Sequence, residues 1–210
     1  MKAWILGAGL VFGASAACAR QSANEEAASP GVAVPTERAP TDFRRSTLIV
    51  RDIDASLALY RDVLGFTVNY DTEVTTSGVA LPAGEPGARA RLVLANANDP
   101  WIGWIGFMQW VEPALPDPGP YPTRLGIGDH VMIMNTDDAE ARCAAAAEVP
   151  GVTMTAPARM QEYPGRDGAP PIRVIGCNIF DPDGNLIEIN QLLREGEDVP
   201  ASLQPNETAE

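Results

Sequence analysis

Glu188 is the residue of this chain that most plainly calls for a chemical explanation. It stands inside the apolar part of FDPDGNLIEINQ, Phe180 to Gln191. A strand sends alternate side chains to opposite faces, so Glu188 shares a face with Leu186 and Asn190, while Ile187 and Ile189 share the other. A carboxylate among apolar neighbours either looks into water or has a partner. It can be a ligand to a metal, one half of an ion pair, or a general base whose pKa is raised by its pocket. The chain contains one histidine, His130. A non-haem iron site built from two histidines and a carboxylate cannot come from such a chain, and His-rich zinc hydrolase sites fall for the same reason. No serine sits in a nucleophile elbow. Cys143 and Cys177 lack a neighbouring histidine or a CxxC partner and read as two buried free thiols; in an exported protein a disulfide is the alternative.

The elements that must position these residues follow a pattern used twice. In STLIVRDIDASLALYRDVLGF, Ser46 to Phe66, a strand gives way to a helix capped by Asp54. Leu57, Tyr60 and Leu64 fall at helical spacing, and Gly65 closes the helix. TVNYDTEV, RARLVLAN and WIGFMQWVEP follow as strands. A stretch with five prolines, PALPDPGPYPTRLGIGD, then forbids a regular element. The pattern restarts at DHVMIMNTDDAEARCAAAAEVPGVTM, with Asp137 or Asp138 as cap, and continues through VTMTAP, IRVIGCNIFD and NLIEINQL, with Asp183-Gly184 as a hairpin signal. The chain reads as βαβββ, linker, βαβββ.

Strand alternation sorts the faces. Ser46, Leu48 and Val50 should pack on the first helix, leaving Arg45, Thr47 and Ile49 opposite. Ile105, Phe107, Gln109 and Val111 share one face of their strand; Met108, Trp110 and Glu112 share the other. His130, Met132 and Met134 share a face, with Val131, Ile133 and Asn135 assigned to the helix side.

Hydrophobic residues make up 45% of the 210, so a core can be buried, and the net charge is -13. That charge argues against nucleic acid as a partner, which needs a basic patch. The start, MKAWILGAGLVFGASAACARQ, reads as an export signal: Lys2 precedes an apolar stretch from Ala3 to Ala17 that is short for a membrane span. Cys18 in SAAC reads as the lipidated residue of a lipoprotein; the alternative is cleavage after Ala14-Ser15-Ala16. Residues 1–18 are then signal, 19–41 a disordered linker too polar to bury a core, 42–193 the folded domain (module one 43–113, linker 114–126, module two 127–192), and 194–210 a disordered acidic tail. The expected location is outside the cytoplasm, periplasmic or tethered to a membrane only through the lipid anchor.

LIVRDIDASLALYRDVLGFTV together with FDPDGNLIEI resembles the vicinal oxygen chelate superfamily of glyoxalases, extradiol dioxygenases and bleomycin- and fosfomycin-resistance proteins, over about residues 43 to 192. The resemblance implies an α+β fold of paired βαβββ modules forming a cupped half-open barrel, with a divalent metal held in the cup. Arg45, Gln109, His130 and Glu188 match the family's ligand positions. Arg45 has no lone pair to give a metal, and Gln109 puts an amide where a carboxylate is usual. That leaves Glu188 and His130 as ligands with Gln109 as a weak third, and zinc, nickel, manganese, cobalt and iron all open. Without metal, Arg45 would pair with Glu188 across the cup. Arg45, Thr47, Phe107, Met132 and Arg173 are candidate substrate-binding residues. MQEYPGRDGAPPIRV, Met160 to Val174, reads as a mobile loop over the cup. The tryptophans Trp101, Trp104 and Trp110 read as core and cup wall. The resemblance also makes a homodimer possible, since members of the family pair between chains and can share a cup, in which case the missing ligand could come from the second subunit. Two functions follow: an exported, metal-dependent lyase or isomerase of the glyoxalase type, with Glu188 moving a proton on a small oxygenated molecule, or a metal-free protein that sequesters a small molecule.

Overall fold

The computed structural model describes residues 41–121 and 123–204. The export segment with Cys18, most of the 19–41 linker and residues 205–210 lie outside the described residues. Module one consists of β1 (Arg45–Ile49), α1 (Ile53–Tyr60), β2 (Thr67–Thr75), β3 (Arg89–Asn96) and β4 (Trp104–Glu112). Module two consists of β5 (Val131–Asn135), α2 (Ala139–Ala147), β6 (Thr153–Tyr163), β7 (Ile172–Phe180) and β8 (Leu186–Leu192). The sheet orders are β1-β4-β3-β2 and β5-β8-β7-β6, so each module repeats the same topology and neither sheet closes into a barrel. In each sheet the first and last strands run parallel and the remaining pairs antiparallel. No helix among the described residues is long and apolar enough to cross a membrane.

The helices begin where their caps dictate. Asp52, not Asp54, caps α1, its carboxylate accepting from the backbone N–H of Asp54 and Ala55. Asp54 instead holds Arg91, which also grips Asp71. Asp138 caps α2. Each helix start has a second acceptor from the last strand of its own module: Gln109 Oε1 accepts from Ile53 N–H, and Gln191 Oε1 from Ala139 N–H, both at 3.1 Å. The internal repeat therefore extends to individual side chains. The regular helix stops at Tyr60, and turns carry the chain to Gly65 in the left-handed region at φ 79.

The main core lies between the modules, on the helix-bearing sides of both sheets. Leu48, Val50, Ile105 and Phe107 from the first sheet meet Ile53, Leu57 and Tyr60 of α1, and the same cluster takes in Cys143 and Ala146 of α2 with Ile179, Ile187 and Ile189. Phe107 is fully buried, its ring edge-on to Tyr60 at 4.9 Å between centroids. Met132 and Met134 also pack against this cluster. The expected face of β5 is therefore reversed: the methionines point to the core and Ile133 is 63% exposed. The two sides of β5 and of β4 are both apolar, so alternation alone could not choose between them.

Cys143 and Cys177 are joined as a disulfide, contrary to the reading as free thiols. Cys143 lies on the buried stripe of α2, and Cys177 points inward from β7 between Ile175 and Ile179. The helix crosses β7 there, bringing the two Cα atoms to 6.1 Å. Two further expectations change. Met160 to Tyr163 belong to β6 and Ile172 onward to β7, so the supposed loop is the shorter turn of a hairpin. Pro157 is accommodated because β6 is an edge strand whose register slips between Ala156 and Arg159. Residues 194–204, read as disordered tail, fold back: Leu203 is 5% exposed and packs with Ala139 and Ile175.

Candidate functional site

The side of each sheet away from the shared core is the surface left for chemistry. On the first sheet it carries Arg45, Thr47 and Ile49 from β1. The register Arg45↔Trp104, Thr47↔Gly106 and Ile49↔Met108 puts Trp104, Gly106 and Met108 of β4 beside them. The lower part is closed by the 76–88 loop, where Ala83 and Ala88 join Met108 and Trp110 in a small separate cluster. The upper part, with Arg45 and Thr47, is exposed. Gly106 forms its floor: a Cβ there would lie 2.8 Å from Thr47 Oγ1 and 3.2 Å from Leu94. The indole N–H groups of Trp104 and Trp110 are buried on this side and lack an acceptor, an uncommon state for a buried donor.

On the second sheet the corresponding side carries Glu188. Its cross-strand neighbours are Ile133 of β5 and Asn178 of β7, and Leu186 and Asn190 flank it along β8. Glu188 is half-buried. Among the described residues it has no hydrogen bond or ion pair, and Arg45 does not reach it within the chain. Ile133 and Val131, 63% and 41% exposed, leave an open apolar strip beside the carboxylate.

The other expected site residues lie elsewhere. Gln109 points to the opposite side of β4 and spends its carbonyl oxygen on α1. Phe107 and Met132 are in or against the core. His130 precedes β5, is exposed, and by alternation does not share the Glu188 side. Arg173 sits on the helix-bearing side, donating to the carbonyl of Glu197 at the mouth of a cavity of about 380 Å³ formed with the returning C-terminal segment. Trp101 is held at the surface by Asp42 and by the Arg44 guanidinium over its ring. This donor set does not fit a divalent metal, which needs several converging oxygen, nitrogen or sulfur ligands. Among the described residues no three of His, Cys, Asp and Glu converge, and Arg45 brings a positive charge instead of a lone pair.

The turn that launches β8 does more than reverse the chain. Asp181, 2% exposed, accepts from the Tyr60 hydroxyl at 2.9 Å, from the backbone N–H of Asp183 and Asn185, and from the Asn185 amide. Asp183 accepts from the Arg51 backbone N–H at 3.0 Å and the Ser56 hydroxyl at 3.4 Å. Burial pushes the Asp183 carboxyl up from its ordinary range, and burial followed by the nearby Asp181 pushes the Tyr60 phenol well above its own. The turn thereby bolts β8 to both ends of α1, through Asp183 at its start and Asp181 at its last residue. Tyr121 of the linker lies over Gly184, whose φ is 85, and beneath the Arg51 guanidinium at 3.8 Å. Two aspartates in a turn just before a buried strand were the available signal; what they bind is 121 and 127 residues away.

A solved structure shares this architecture. A glyoxalase family protein from Bacillus cereus matches with 12% identity and a TM-score of 0.55, over 77% of this chain and 100% of that one. Glyoxalase I of Leishmania major (13% identity, TM-score 0.44, 72% of this chain and 86% of that one) and an antibiotic-binding protein from a Streptomyces species (20% identity, TM-score 0.40, 75% and 100%) are also similar. No curated protein matches the chain. The model of the Glyoxalase/Bleomycin resistance protein/Dioxygenase superfamily matches residues 43–189. With its doubled βαβββ topology and a family match spanning most of its length, the chain belongs to the Glyoxalase/Bleomycin resistance protein/Dioxygenase superfamily.

Proposed function

We propose that this protein is an exported, metal-free member of the superfamily that binds a small oxygenated molecule on the open sheet faces. The observation that carries the reading is the fate of the four residues at the family's ligand positions. One is a half-buried carboxylate without a partner among the described residues, one a cation, one a helix-capping amide and one an exposed histidine ahead of its strand. Such a set binds through charge and hydrogen bonds rather than coordination. Arg45 and the Thr47 hydroxyl supply donors, and Trp104 offers an apolar wall. A metal-dependent lyase or isomerase would need ligands that this face does not gather. Export is supported by the Cys143–Cys177 disulfide, since such bonds persist in oxidising compartments. A lipid anchor at Cys18 would be the membrane attachment.

Salicylate, a small aromatic with neighbouring oxygens, tests the reading on the exported domain. Its titration should quench tryptophan fluorescence saturably, with the same midpoint in the presence and absence of EDTA. Arg45→Ala should weaken the binding by roughly tenfold or more, the loss of a hydrogen bond to a charged group. Quenching that disappears with EDTA and returns with zinc or nickel would favour the metal-dependent lyase instead.

A further inference from the structure

We infer that Arg45 of one copy pairs with Glu188 of a second copy, so that the position a metal would occupy is closed by an ion pair between subunits. The inference rests on the open sheet faces being the ligand cup. Its starting point is that neither charge has a partner among the described residues, and each lies on the side of its sheet that faces away from the shared core.

Internal symmetry makes the two faces complementary. Asp52 and Asp138 cap equivalent helices, so Arg45 and Val131, each seven residues earlier, are equivalent positions. The registers Thr47↔Gly106 and Ile133↔Glu188 make Gly106 the equivalent of Glu188. Module one therefore presents a cation where module two has a valine, and a glycine where module two has the anion. A two-fold contact lays the module-one face of each copy against the module-two face of the other, and each contact brings one cation to one anion. The same faces carry Ile49, Val131 and Ile133, which are 44%, 41% and 63% exposed. They sit on β1 and β5, each an unpaired edge of its sheet. Exposed apolar edges of this kind are ordinarily covered by a partner. Covering them desolvates Glu188 further, which a charge left alone would resist and a guanidinium partner offsets. The guanidinium has five N–H donors, so it can hold the carboxylate along one edge and a ligand oxygen with those that remain.

The test is a charge exchange read by sedimentation equilibrium. The wild-type domain should be a dimer. R45E and E188R should each be monomeric at the same concentration, because each homodimer would oppose like charges twice. Mixing the two variants should restore a one-to-one heterodimer, in which both contacts regain opposite charges. A pair formed within one chain could not be rescued by mixing. Circular dichroism on each variant checks that it is folded, and E188Q, nearly isosteric, should raise the dimer dissociation constant at least tenfold without charge reversal. A monomeric wild type, variants that stay dimeric, or a mixture that stays monomeric would each overturn the inference. Salicylate quenching on the same samples keeps the two readings apart: quenching by a chain that never dimerises removes the pair and leaves the ligand site, whereas a charge-exchanging dimer that never quenches does the reverse.

Discussion

Removing the Cys143–Cys177 bond should lower the stability of the domain by ~4 kcal/mol, the chain-entropy value for a closed loop of 34 residues. For a domain of this size that corresponds to a fall in Tm of roughly 10 °C. The effect should be near the upper end because α2 has little else to hold it. Its buried side chains are Ala139, Cys143 and Ala146, which offer small apolar area to the sheet. Thermal unfolding followed by circular dichroism, with and without dithiothreitol and beside the Cys143→Ala, Cys177→Ala double variant, measures it. An unchanged Tm in the double variant would show that packing alone fixes the helix and that the bond is incidental.

Asp181→Ala should be comparably severe, costing about 3–5 kcal/mol, because it strands several buried donors at once. The Tyr60 hydroxyl, the backbone N–H groups of Asp183 and Asn185 and the Asn185 amide all lose their acceptor. The Tyr60 hydroxyl and the Asp183 N–H cannot turn to solvent easily, since Tyr60 is fully buried and Asp183 is 8% exposed, whereas Asn185 is half-buried. The loss also loosens the bolt between β8 and α1, and with it the carriage of Glu188. Tyr60→Phe removes a single donor and should cost only about 1 kcal/mol. Urea unfolding of the two variants gives both numbers. Equal losses would mean that the turn is held by Tyr60 alone, not by the whole set of bonds.

Much of the fold was legible because its punctuation is chemical. Asp138, Gly65, Pro150-Gly151 and the proline-rich linker mark element ends through caps, left-handed backbone and missing N–H groups, all of which are local. The site was harder to read. Alternation groups Phe107 with Gln109 and separates them from Met108 correctly, yet cannot say which group faces the helix when both are apolar. β1 escaped this ambiguity because Arg45 and Thr47 contrast with Leu48 and Val50. The disulfide and the Asp181 bonds depend on distances across the chain that no spacing in sequence reveals. Asp54 illustrates a smaller miss: it suits the cap, but Asp52 precedes it and takes the role, which frees Asp54 to hold Arg91.

The most direct measurement is metal content by inductively coupled plasma mass spectrometry, on protein dialysed after exposure to zinc, nickel, manganese, cobalt and iron, beside a Glu188→Ala variant. A metal-free cup predicts well under one equivalent of every metal, the same in both proteins, because no cluster of His, Cys, Asp and Glu forms around Glu188 among the described residues. One equivalent in the wild type that is lost in Glu188→Ala would contradict it and return the protein to the metal-dependent lyases and isomerases.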